Sequence, residues 1–190
     1  MMNKLDKPIL MIHEVYEWML NLDLSEYIIT FDDGLYSQYK YLEHFLKFNT
    51  PKIFFISTNI ISPEDEIQNK ETIPCARAHE LFFKNKVTNN YMKWSQIKEI
   101  ANTANCYIGG HSHKHKDLRK NISLKELHSH LKNDTDTMIS EFEKKGIQIK
   151  DFCFPYNYEA PLYKEVLKQK GITNIYGSGR IAIEELKNAI

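Results

Sequence analysis

No stretch of this chain approaches the roughly 18 consecutive apolar residues that a membrane-crossing helix needs, so a membrane span is excluded. Neither sign of charge dominates: 25 Lys and Arg stand against 25 Asp and Glu. That balance removes the basic footprint by which nucleic-acid partners are recognised. Cysteine is sparse. Cys75, Cys106 and Cys153 are far apart and form no CxxC pair, which fits a reducing compartment better than a disulfide framework. There is no internal repeat and no low-complexity tract. The opening segment "MMNKLDKPILMIHEVYEWML" does not read as an export signal: its apolar run, 9–12, is short and meets His13 and Glu14 at once, with no small-residue cleavage site. The expectation is a cytoplasmic protein, although a chain trimmed of its leader reads the same way.

What is present is ordinary soluble composition, 42% hydrophobic and 12% aromatic over 190 residues, enough for one domain, 1–190, with a substantial core. Short apolar runs at 8–12, 27–31, 52–56, 106–110 and 149–154 read as buried strands, with one more at 173–177. Between them, Leu35, Tyr39, Leu42 and Leu46 recur at helical spacing. The clearest helix spans 123–145. Ser123 and Glu126 make a capping box, Leu124, Leu127, Leu131, Met138 and Phe142 form its stripe, and Gly146 ends it. Pro161 opens another helix that Gly171 closes, with Leu162, Val166 and Leu167 inward. Such alternation predicts an α/β fold with a mainly parallel sheet, open or closed into a barrel. The segment 60–92 is long for a connection and reads as either a surface insertion or a lid over a substrate site.

The polar chemistry gathers where strands end. Asp32 and Asp33 follow 27–31, His111, His113 and His115 follow 106–110, and Pro155 and Tyr156 follow 149–154. In parallel α/β folds these ends share one face, so three distant clusters are expected to meet. Two imidazoles and a carboxylate form a common three-ligand set for a catalytic divalent ion. His111 and His115 are the expected pair, with His113 as an alternative, and Gly109 and Gly110 are expected to let the loop turn both rings inward. Asp32 and Asp33 before Gly34 can be a simple Asp-Gly turn with capping carboxylates. A dication gives the pair a different meaning: it offsets their repulsion, so that one ligates while the other takes a proton.

At these residues the sequence resembles the polysaccharide deacetylase family, the NodB-homology domains of carbohydrate esterase family 4. "TFDDG" (30–34) matches its first motif, "HSHKH" (111–115) its second, and "FCFPYN" (152–157) is similar to its third. "KIFFISTNII" and the Trp-led helix before the His motif resemble the family's spacers. "PILMIHEV" and "GSGRIAI" look like an early His strand and an Arg-Ile segment found in a subset of members. The resemblance covers roughly 8–180. It implies a distorted, incomplete (β/α) barrel that removes N-acetyl groups from an amino sugar of a glycan or glycan precursor. It makes Asp32 the general base and Asp33, His111 and His115 the ligands of a divalent ion, often zinc. The Tyr156 backbone N–H would stabilise the developing oxyanion, and Pro155 and Tyr156 would be the substrate-binding pair, with Tyr158 a further sugar contact.

Three departures stand beside the resemblance. Cys153 occupies the place of an Arg that, in many members, orients the base. Asn157 replaces a Gly. No His follows His130, whereas members with a strong general acid carry a late one, which leaves Asp32 itself or His13 to protonate the leaving amine. Cys153 between two Phe reads as core or as a nucleophile, Trp94 as packing or a sugar platform, and His128 and His130 as solvated. The rival functions are hydrolysis of a non-sugar amide at the same site and a non-catalytic glycan-binding module.

Overall fold

Every apolar run becomes a strand of one parallel sheet. The computed structural model describes residues 7–119 and 122–187. Its strands are β1 (Ile9–Ile12), β2 (Ile28–Phe31), β3 (Lys52–Ile56), β4 (Cys106–Gly110), β5 (Asp151–Cys153), β6 (Asn174–Tyr176) and β7 (Ile181–Ala182). They lie in the order β6-β5-β4-β3-β2-β1-β7, and all their pairings are parallel. The order is that of a (β/α) barrel with its seam open between β6 and β7. The expected incomplete barrel is what forms. β7 was not foreseen; it pairs alongside β1, Leu10 with Ile181 and Met11 with Ala182.

Both faces of the central strands are buried, which is why β3 reads as an unbroken apolar run. Ile53 and Phe55 pack with Cys153 on the concave side. Phe54 and Ile56 join the main core under the helices. That core is completed by α4 (Trp94–Ala101), α5 (Leu124–Lys144) and α6 (Pro161–Gln169). The α5 capping box forms: Ser123 N donates to Glu126 Oε2 and Glu126 N donates to Ser123 Oγ. Trp94 packs edge-on against Phe142, 5.7 Å between centroids.

Three local expectations are corrected. Leu124 is exposed, because α5 meets the core only from Leu127 onward. The stripe through Leu35–Leu46 is two short helices, α1 (Tyr36–Lys40) and α2 (Leu42–Leu46), broken at Tyr41, while Leu35 is extended and precedes them. Gly109 and Gly110 do not turn the loop; they end β4 and are small because their surroundings are tight. A Cβ on Gly109 would lie 2.6 Å from the Phe55 ring and 3.0 Å from the Asp151 carbonyl, and one on Gly110 would lie 2.6 Å from Met138 Sδ. Gly109→Ala should therefore destabilise the protein by about 1–3 kcal/mol, read as a lower urea midpoint. Gly110→Ala, opposed only by a flexible Met tip and an Ile methyl, should cost less.

The segment 60–92 holds one further helix, α3 (Cys75–Asn85). Ala78 and Phe82 build a small core there with Leu35, Ile60 and Tyr91. Cys75 N donates to Glu14 Oε2 and Met92 N donates to the Gly34 carbonyl. These bonds press α3 against the face where the strands end.

Candidate active site

The strand-end clusters meet in a cleft of about 590 Å³, lined among others by His13, Asp32, Asp33, His111, His115 and Tyr156. The backbone is unusual at the same place. Among the described residues, six of the ten with positive φ, namely Asp33, Gly34, Ser112, His115, Tyr156 and Asn157, belong to these three loops. Such conformations cost energy and gather where geometry serves function. Asn157, at φ 53°, stands where many members have Gly, and Asn is among the side chains that tolerate the left-handed region best.

Asp33 is the focus. His115 Nε2 lies 2.9 Å and His111 Nε2 3.3 Å from its Oδ1. All three side chains are buried, yet no N–H points at Oδ1 in hydrogen-bonding geometry. His111 Nδ1 is 2.8 Å from the Cys153 carbonyl. A carbonyl only accepts, so Nδ1 carries the proton and the Nε2 lone pair is left free beside Asp33. An available His111 Nε2 and the His115 Nε2 beside an orphaned carboxylate oxygen suit a cation, and the three can serve one ion together. Burial works to raise the Asp33 carboxyl, but the positive charge and N–H groups that His115 and His111 carry when doubly protonated outweigh it and hold its pKa well below the usual carboxylate range.

The His loop is fixed from outside the cleft. The buried Asp134 carboxylate of α5 accepts from His113 N at 2.7 Å and Lys114 N at 3.0 Å, and His115 N donates to Ser112 Oγ. His113 points away: its Nδ1 is 2.9 Å from Thr58 Oγ1. The alternative of His113 as a ligand is thereby corrected. The left-handed turns at Ser112 and His115 break the regular alternation of an extended chain, and of the three loop histidines 111 and 115 reach Asp33.

Asp32 is held by Arg180. The guanidinium forks onto the carboxylate with Nη1 to Oδ1 and Nη2 to Oδ2, both 2.7 Å. Its remaining N–H groups reach Thr30 Oγ1, Cys153 Sγ and the Gly177 carbonyl, so all five donors of a buried Arg are used. Burial raises the Asp32 carboxyl, but the charge and hydrogen bonds of Arg180 prevail, and its pKa lies below the ordinary value. Arg180 thus makes the contact that the missing motif Arg would make, and Cys153 is small enough to admit it. Burial, with the charge of Asp32, pushes the Cys153 thiol well up, so it stays protonated and is no nucleophile. The Arg180 signal was the "GSGRIAI" segment, whose partner could not be read across 148 residues.

Three further side chains reach the cleft. His13, at the end of β1, has Nε2 4.0 Å from Asp32 Oδ2 and 3.9 Å from Asp33 Oδ2. Cys75 and His79, one helical turn apart on α3, were not singled out in the sequence, although their i,i+4 spacing in "CARAHE" was a usable sign. Cys75 Sγ donates to Asp33 Oδ2 at 3.0 Å, and His79 Nε2 is 3.7 Å from Oδ1. Burial, above all, takes the His79 pKa down to about 4. The Tyr156 ring stands 4.9 Å from the His115 ring, and its amide N–H has no acceptor among the described residues. Pro155 is buried beneath it, and both Pro155 and Tyr158 line a separate crevice with Tyr163 rather than the cleft.

The family model for polysaccharide deacetylase matches residues 23–175. The chain belongs to the polysaccharide deacetylase family. Solved structures share the fold of this deacetylase-family chain: IcaB from Ammonifex degensii, at 17% identity and TM-score 0.65, covers 90% of this chain and 82% of its own. The BpsB deacetylase domain from Bordetella bronchiseptica, at 15% and 0.63, covers 95% of both. A de-N-acetylase from Aggregatibacter actinomycetemcomitans, at 14% and 0.65, covers 97% and 99%. No curated protein matches. The family model ends before Arg180 and begins after His13, so β1 and β7 lie outside it.

Proposed function

We propose that this member of the polysaccharide deacetylase family is a divalent-metal-dependent hydrolase that removes the N-acetyl group from an amino sugar of a glycan or glycan precursor. The observation that carries the reading is the pairing of two unlike carboxylates. Asp33 faces two imidazoles, and its neighbour Asp32 is gripped by Arg180 in the same cleft. Membership of a family that is generally metal-dependent supports it.

Asp33, His111 and His115 would hold the ion, with zinc the best match to a two-imidazole, one-carboxylate set. Bound there, a divalent ion supplies Lewis acidity toward the amide carbonyl and the attacking water. Asp32, kept ionised and oriented by Arg180, takes the proton of that water as it attacks. The Tyr156 N–H donates to the oxygen that becomes negative, a stabilisation that grows toward the transition state. The Tyr156 ring is the sugar contact. His13, beside both carboxylates and open to the cleft, protonates the leaving amine, the role that a late His plays in other members. The chain acts as a single catalytic unit, with 60–92 forming one wall of the cleft through α3.

Acetate release tests this. The zinc-loaded protein is expected to deacetylate N-acetylglucosamine oligomers and to leave acetylated amines without a sugar ring unaffected. Turnover of the non-sugar amides alone would move the substrate class. Glycan binding with no acetate at any pH or with any divalent metal would make the domain a binding module.

A further inference from the structure

Asp33 has a second side. Its Oδ1 faces His111 and His115, but its Oδ2 faces Cys75 Sγ at 3.0 Å. Cys75 and His79 lie one turn apart on α3 and so present Sγ and Nδ1 to one point, 3.6 Å from each other. Zinc bonds of about 2.3 Å to sulfur and about 2.0–2.1 Å to nitrogen, at a tetrahedral angle, separate the two atoms by about 3.6 Å. Asp33, Cys75 and His79 thus form a second group able to hold an ion together. The other ring nitrogen of His79, Nε2, is buried without a hydrogen-bond partner among the described residues and lies 3.7 Å from Asp33 Oδ1, so the His79 ring is not committed to any bond outside this cluster. Both α3 side chains line the cleft, so an ion has a path in.

We propose that Cys75, His79 and Asp33 form a second divalent-cation position beside the Asp33–His111–His115 position, bridged to it by the Asp33 carboxylate. One thiolate and one imidazole select a borderline-soft ion such as Zn²⁺ or Co²⁺ over Mg²⁺ or Ca²⁺. The thiol proton leaves to solvent as the thiolate binds, and the hydrogen bond from Sγ to Oδ2 is replaced by the shared ion. Neighbouring divalent ions about 3.5–4 Å apart are familiar in hydrolases. The inference shares Asp33 with the functional reading but does not depend on turnover.

The test is a Co²⁺ titration of the chelator-treated chain, with absorption and bound metal measured together. Wild type should bind two ions, with a near-ultraviolet thiolate-to-cobalt band growing with one of them and unaffected by excess Mg²⁺. Cys75→Ala and Cys75→Ser should bind one ion with no band. His111→Ala/His115→Ala should bind one ion and keep the band, so loss of the first position is distinguishable from loss of the second. His79→Gln, which keeps the thiol, should weaken the banded ion at least tenfold. A wild type with no thiolate band overturns the proposal. So does a single ion whose band disappears in both the Cys75 variants and the double His variant, since Cys75 would then ligate the first ion.

Discussion

Asp32→Asn is expected to lower kcat for acetate release by about 10²–10⁴-fold, the usual range for a lost general base, while zinc affinity stays within a few-fold of wild type. The amide has the same shape and its Oδ1 still accepts from one Arg180 N–H, and the bonds of Arg180 to Thr30, Cys153 and Gly177 persist. The amide Nδ2 meets a second Arg180 donor and the buried guanidinium loses its counter-charge, so kinetics are compared at a temperature where circular dichroism shows the variant folded. Steady-state kinetics beside a zinc titration separate the two carboxylates: full activity would remove Asp32 from the reaction, and a parallel collapse of zinc binding would make it a ligand. Asp33→Asn should show the opposite pattern, with metal affinity failing first.

Arg180→Met is expected to be the most destabilising single change near the site, by about 3–5 kcal/mol at neutral pH, because it strands a buried carboxylate without its cation. The pH dependence follows from the shift. With Arg180 present the folded-state pKa of Asp32 lies below its ordinary value, so the pair's contribution is present above about pH 4 and is lost as pH falls through the lowered pKa. Without Arg180, burial meets only the weaker opposing charges of His111 and His13, and the folded pKa rises. The penalty then appears as pH climbs above about 4 and shrinks as Asp32 is protonated in acid. Urea unfolding of the chelator-treated proteins should show the gap closing at low pH; a gap constant from pH 4 to 8 would mean that Arg180 acts by packing alone. In the variant that still folds, misplacement of the base should lower kcat/KM by about 10²-fold, with the acidic limb of the profile moved to higher pH.

Much of the fold was legible because a parallel sheet buried on both faces writes its strands as bare apolar runs, and β3 shows this most plainly. β7 was not legible, since its two residues, Ile181 and Ala182, are too few to make a run. The Asp and His clusters stood out because strand ends in this architecture share a face, and the structure does bring Asp32, Asp33, His111, His115 and Tyr156 together. Gly109 and Gly110 were misread because a glycine needed for close packing and one needed for a turn look alike in sequence. Arg180 was quoted for its resemblance but not for its partner: a side chain crossing the concave face to Asp32 leaves no periodicity. Cys75 and His79 were missed because the segment 60–92 was read by its length as a connection, while the helix inside it carries its own small core.

The central claim is that Asp33, His111 and His115 form a metal centre, beside which Asp32, held ionised by Arg180, can act as the base. Calorimetric titration of Zn²⁺ into the chelator-treated chain, beside folded His111→Ala/His115→Ala, tests it most directly. The account predicts a tight ion in wild type that the double variant loses. Equal zinc affinity in the two proteins, or no binding to folded wild type, would contradict it.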